Sequence, residues 1–298
     1  MEPIYIKTLR ENKFKEKEEK LFKILENCEL CPRKCKVNRL KGEKGYCNST
    51  SKLIVSSYFP HFGEEKVLVG KNGSGTIFFS NCNLKCIYCQ NYEISHFGFG
   101  SEISEEKLAK MMLELQKIGC HNINLVTPTH FTPQIVMAIK IGAEGGLRLP
   151  IVYNCSGYEN VKTIKLLDGI VDIYMPDIKY SNPKSAKKYS NAPDYFEVCK
   201  LAVKEMYRQV GDLKIEKGIA KRGLLIRHLV LPNNLAGTER IMKFIADEIS
   251  KDSFVNIMDQ YRPEFKALEH KELKRKITRK EFEEAIKIAK KYGLHNFL

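Results

Sequence analysis

Cysteine placement constrains this chain more than any other feature. Of its ten cysteines, Cys28, Cys31, Cys35 and Cys47 form one group, Cys82, Cys86 and Cys89 form a second, and Cys120, Cys155 and Cys199 are scattered. The start, Met1-Glu2-Pro3, runs into Lys/Glu-rich residues with no apolar segment of an export signal. Grouped cysteines in such a chain point to metal or catalysis rather than a disulfide framework. No stretch has the uninterrupted apolar length of a membrane span. The expectation is a soluble, cytoplasmic protein with no membrane partner. At 298 residues, 43% of them hydrophobic, it can bury a substantial core.

A helix is expected over residues 14–27, with Leu21, Ile24 and Leu25 on one face, followed by the Cys28–Cys47 segment, whose Gly42 and Gly45 mark a small loop-built knob. Beyond it, short β-branched or apolar runs alternate with helical patterns. Strands are expected at 76–79, 122–126, 151–153, 170–174, 224–231 and 254–257. Ser104, followed by Glu105 and Glu106, is a candidate N-cap. Thr132 is another, with Pro133 at the first helical position. Thr278 and Glu281 have capping-box spacing. This alternation predicts an α/β fold with a parallel sheet or barrel, divided into an N-terminal helix and Cys-rich segment over 1–52 and a barrel over 53–298.

Barrels place their chemistry after the strands. The residues there are Asn81 and Cys82; Thr127, Thr129 and His130; Asn154 and Ser156; Asp177 and Lys179; Asn233; and Asp259, Gln260 and Tyr261. Of Arg227 and His228 in the fifth strand, alternation sends one into the barrel. The first strand runs into Cys82-Asn-Leu-Lys-Cys86-Ile-Tyr-Cys89. Three thiolates can hold three irons of a cubane, where four cysteines would normally close it. An open metal position is the mark of a catalytic centre. A structural zinc with His96 as fourth ligand is the alternative, but the histidine is distant and the spacing is not a paired C-x2-C.

The C-x3-C-x-aromatic-C pattern, with Tyr88 as the aromatic, resembles the signature of the radical S-adenosylmethionine (SAM) superfamily. With its flanks, Gly73 to Gln90-Asn91, it looks like the pyruvate-formate-lyase-activating-enzyme branch. The chain from about residue 20 to 290 is similar to relatives of that enzyme with an N-terminal C-x2-C-P-R-x-C segment. The resemblance implies a partial (β/α)6 barrel and a [4Fe–4S] cluster on Cys82, Cys86 and Cys89. It also implies one-electron cleavage of SAM to methionine and a 5′-deoxyadenosyl radical that abstracts hydrogen from a substrate. No catalytic residue is nominated beyond the cluster.

For the cofactor, the resemblance implies Asp177 and Lys179, with the lysine pairing with the SAM carboxylate, and the Asn154-Cys-Ser-Gly157 loop. The branch's Gly-Gly-Glu contact is replaced by Thr127-Pro-Thr-His130, so Thr127, Thr129 or backbone carbonyls are the candidates. His130 is either a ligand contact or a structural histidine, and Cys155 reads as a small half-buried residue. Cys28, Cys31, Cys35 and Cys47 suffice for a zinc or an auxiliary iron–sulfur cluster, with the balance toward iron–sulfur.

A net charge of +14 admits polyanions, but lysines interleaved with glutamates read as solvated helix faces. Only residues 271–280 form a dense basic run, so nucleic acid is not the favoured partner. The partners implied are a reductant such as ferredoxin or flavodoxin and a protein or peptide substrate. RNA or a small metabolite is the alternative substrate class, and a non-catalytic iron–sulfur partner-binding protein is the alternative from another class.

Overall fold

The computed structural model describes residues 1–297. Nine strands form its sheet: β1 Leu53–His61, β2 Ser74–Phe79, β3 Ser101–Ile103, β4 Ile123–Val126, β5 Ile151–Cys155, β6 Ile173–Pro176, β7 Lys214–Glu216, β8 Ile219–Leu229 and β9 Phe254–Met258. Six of them, β2-β4-β5-β6-β8-β9, are parallel neighbours in that order. They are the six read from the sequence. The sheet is open: β1 and β3 extend the β2 edge antiparallel, and β7 pairs antiparallel with the start of β8.

Helices cover one face because alternate residues of each strand are apolar. Ile123, Leu125, Tyr153, Tyr174, Leu224 and Ile226 join the large core between sheet and helices. Their neighbours Val152, Ile173, Met175 and Leu225 form a second cluster on the other face, closed by Leu68. Leu68 belongs to a single helical turn, Lys66–Val69, between β1 and β2. This turn floors the concave side of the sheet.

The helix Glu105–Ile118 starts where Ser104 Oγ accepts from the Lys107 N–H and ends at the left-handed Gly119. The Thr278–Glu281 capping box opens the helix Arg279–Lys291. Thr132, by contrast, is itself the first residue of its helix, and its hydroxyl donates to the Thr129 carbonyl at 3.0 Å rather than capping.

Strand boundaries shift most in two places. The run at 170–174 becomes a strand only from Ile173. Ile170 and Val171 are core residues leading to the buried Asp172, whose carboxylate accepts the N–H groups of Ile4 and Ile151 at 2.7 and 3.0 Å. The expected 224–231 strand starts earlier, at Ile219, and ends at Leu229. The strands β1, β3 and β7 and the helix Ile4–Arg10 were not expected from the sequence. The N-terminal segment shares the large core through Tyr5, Phe14, Leu21, Leu25 and Leu30. Thr163 Oγ1 donates to Leu30 O at 2.8 Å and Asn160 Nδ2 to Glu29 O at 2.6 Å, tying it to the barrel.

Candidate active site

A cavity of about 400 Å³ opens at the C-terminal ends of the parallel strands. This falls in the range of cofactor and ligand sites. Cys82, Cys86 and Cys89 line it together with Thr127, Asn154, Asp177 and Lys179. Four strand ends, those of β2, β4, β5 and β6, thus meet in one space, as a parallel barrel's strand ends require.

Each sulfur of the loop has a donor aimed at it. The Leu84 N–H donates to Cys82 Sγ at 3.3 Å, Ser190 Oγ to Cys86 Sγ at 3.0 Å and Ser95 Oγ to Cys89 Sγ at 3.1 Å. Burial pushes the Cys82 thiol up to about 12 and raises Cys89 as well. Buried thiols of this kind ionise when a metal takes the proton's place, and the donors then face thiolates. The donor set therefore fits an iron–sulfur cluster. Among the described residues no three His, Cys, Asp or Glu side chains converge on a single ion; in a cubane each thiolate binds its own iron.

Lys179 Nζ is 2.6 Å from Asp177 Oδ2. Burial opposes its charge, but Asp177, and the Cys86 and Cys89 sulfurs once ionised, outweigh it and hold the ammonium above its ordinary value. Lys179 and the three cysteines line the same cavity. Gly157 permits this arrangement: at φ +74°, a Cβ there would stand 2.2 Å from the Asp177 carbonyl oxygen. Thr127 lines the cavity at φ +61°, a costly conformation for a β-branched residue. Its N–H donates to Asn154 O at 2.9 Å.

Of the strand-end residues, Asn81, Thr129, His130, Asn233 and Asp259 do not line the cavity. Thr129 is fully buried, and its hydroxyl donates to Glu159 Oε1 at 2.6 Å, so no part of it is left for a ligand. His130 is buried with Nε2 2.8 Å from Ser80 O, and burial lowers it to about 3, which is the structural alternative. Cys155 lines the cavity and is buried. Of the β8 pair, Arg227 faces the cavity, while His228 is locked behind the strand between Ile178 O and Thr238 Oγ1 at 2.9 and 3.0 Å. The zinc alternative has no support in His96, whose Nε2 lies 3.0 Å from the Cys86 carbonyl oxygen.

Other residues in and around the site were not singled out in the sequence. Glu64, on the loop before the floor helix, lies 3.4 Å from Arg227 Nη1 and lines the inner end of the cavity. Arg33, inside the Cys31-Pro-Arg segment, donates to Asn83 O at 2.9 Å and Ser190 O at 2.8 Å, and stacks 3.8 Å over Tyr46. It fastens the N-terminal cysteines to the cavity's cysteine loop. Its place between Cys31 and Cys35 was the one available signal. In the N-terminal segment, Cys28, Cys31 and Cys47 are buried and Cys35 is half-buried. A Cβ on Gly45 would stand 2.7 Å from Cys35 Sγ, so the turn needs glycine to approach that sulfur.

An open, largely parallel α/β sheet with a three-thiol loop after its first parallel strand and a cavity at its strand ends defines a class: partial α/β barrels. The family model described as the radical SAM superfamily matches residues 76–244. The chain is 35% identical over 278 residues to the uncharacterized protein MJ0674 of Methanocaldococcus jannaschii, covering 91% of this chain and 76% of that one. It is 24% identical over 263 residues to the uncharacterized protein MJ0808 of the same organism, covering 80% and 71%. Among solved structures, methylornithine synthase (PylB) aligns with a TM-score of 0.42 at 12% identity, over 73% of this chain and 67% of that one. The chain belongs to the radical SAM superfamily. Membership implies an enzyme that cleaves SAM reductively at an iron–sulfur cluster and takes its electron from an external reductant. Among the described residues, no helix is long and apolar enough to cross a membrane.

Proposed function

We propose that Cys82, Cys86 and Cys89 hold a [4Fe–4S] cluster and that SAM binds beside it against Thr127, Asn154, Asp177 and Lys179. The observation that carries this reading is the convergence of these seven residues on one cavity, with a hydrogen-bond donor directed at each sulfur. When bound, the reduced cluster and SAM supply a 5′-deoxyadenosyl radical. The chain's own residues do the rest. Lys179, charged and held by Asp177, pairs with the SAM carboxylate. The Asn154 side chain, fixed at the end of β5, and the strained Thr127 present polar groups to the remainder of the amino acid moiety. Leu84, Tyr88 and Phe78 wall the cavity and limit water.

The finer reading is an activating-enzyme-like oxidoreductase working anaerobically in the cytoplasm on a protein, with ferredoxin or flavodoxin as electron donor. It rests on the resemblance of the cysteine loop and its flanks. An aromatic patch beside that loop, with Phe97 and Phe99 exposed and Phe97 packed against the half-buried Phe265, favours a macromolecular substrate. Residues 1–52 form a functional unit against the barrel of 53–298, with Cys28, Cys31, Cys35 and Cys47 as ligands of a second centre, iron–sulfur or zinc.

Electron paramagnetic resonance of the anaerobically reconstituted, reduced protein tests the central reading. SAM is expected to change the cluster's spectrum in the wild type and to leave it unchanged when Lys179→Ala and Asp177→Ala are combined. A wild-type spectrum indifferent to saturating SAM would contradict it.

A further inference from the structure

Ser190 lies 104 residues from Cys86 in the chain, at the end of the helix Pro183–Ser190, yet its Oγ is 3.0 Å from Cys86 Sγ. A serine has one hydroxyl proton. Given to the sulfur, it leaves the oxygen as an acceptor, and Tyr180 OH stands 2.9 Å away to fill it. The Tyr180 ring meets that of Tyr88, which lines the cavity, edge-on at 6.2 Å. Tyr88, Tyr180 and Ser190 are 5%, 0% and 2% exposed. Adjacent buried hydroxyls polarise one another, and with the Ser190 proton on the sulfur the Tyr180 hydroxyl is left to donate to Ser190.

The anchor at the far end is equally specific. Arg33 Nη2 donates to the Ser190 carbonyl at 2.8 Å, and another guanidinium nitrogen donates to Asn191 O. The N-terminal cysteine segment thus holds the helix end from which Ser190 reaches the sulfur.

We propose that the pair Tyr180–Ser190 is a positioning and tuning device that raises the reduction potential of the metal centre through Cys86. Hydrogen bonds to cluster sulfurs are among the determinants of potential. A donor on the sulfur stabilises the extra electron of the reduced state, and in a dry, buried setting it does so strongly. Ser190 and Tyr180 touch neither SAM nor substrate in this account. This inference rests on the reading that Cys82, Cys86 and Cys89 hold the cluster.

The test is a potentiometric titration of the anaerobically reconstituted full chain, with the reduced-cluster resonance as readout and iron content as control. Ser190→Ala is expected to move the midpoint to more negative potential at unchanged iron content. Tyr180→Phe is expected to move it the same way by less, and Ser190→Thr to restore it. A Ser190→Ala midpoint equal to the wild type overturns the proposal. If Ser190→Ala fails to retain cluster, the decision falls to Tyr180→Phe, where an unshifted midpoint overturns it. Failure of the cluster reading looks different: the wild type itself then shows no reducible cluster, and the proposal falls with it.

Discussion

Lys179 and Thr127 show how single residues make the site. Lys179 is charged because Asp177, and the cysteine sulfurs once ionised, outweigh the cost of its burial. Hydrogen bonds to charged groups contribute about 1.5–3 kcal/mol. Lys179→Ala should therefore raise the dissociation constant for SAM by roughly 10- to 100-fold, measured by calorimetry on reconstituted protein. Thr127 stores strain instead of charge: its φ of +61° costs on the order of 1–3 kcal/mol. Thr127→Gly should raise thermal stability while weakening SAM binding; a variant with lower stability would remove strain from the account. At this scale the sequence was informative where ligands are close together. Cys82, Cys86 and Cys89 share one loop, and Asp177 and Lys179 one strand end. It was silent on Ser190, because the contact with Cys86 exists only after the helix Pro183–Ser190 has packed against the loop. It misplaced Thr129 because a hydroxyl after a strand can turn either way, and here the buried Glu159 captures it.

At the scale of elements, the six parallel strands were readable because each is a short apolar or β-branched run whose two faces are both covered. The antiparallel strand β1 was not. Leu53–His61 includes Ser56, Ser57 and Pro60, and its half-exposed pattern reflects a strand that the short β3 covers only over Leu53, Ile54 and Val55. The floor turn Lys66–Val69 was missed for a different reason: four residues carry no helical period. It nonetheless closes the concave side of the sheet. Leu68 packs against Val152, Ile173, Met175 and Leu225 and is fully buried. Leu68→Ala should cost about 2–5 kcal/mol of stability, read from denaturant unfolding of the metal-free chain. The loss should come with weaker SAM binding, because Glu64, two residues before this turn, pairs with Arg227 in the cavity wall. An unchanged affinity would separate floor from site.

Across the whole molecule, the N-terminal helices and the barrel share one core, and buried charge makes stability depend on pH. Glu159 is buried beside Thr129 and Tyr153, and burial raises it from 4.5 to about 8. Between those values the folded chain keeps a proton that the unfolded chain has released, so stability falls as pH rises through the window. Glu159→Gln lacks that proton exchange. The melting temperature of the wild type relative to Glu159→Gln should drop from about pH 5 to about pH 8, and a difference that stays flat would place a charged carboxylate there. The net charge of +14, by contrast, sets solubility and encounter rather than fold.

The most direct measurement is 5′-deoxyadenosine formed from SAM by the dithionite-reduced, anaerobically reconstituted chain, beside Cys82→Ala. The account predicts product from the wild type and none from Cys82→Ala. A wild type that holds its cluster and binds SAM but forms no 5′-deoxyadenosine, even with cell extract supplying substrate, would contradict it.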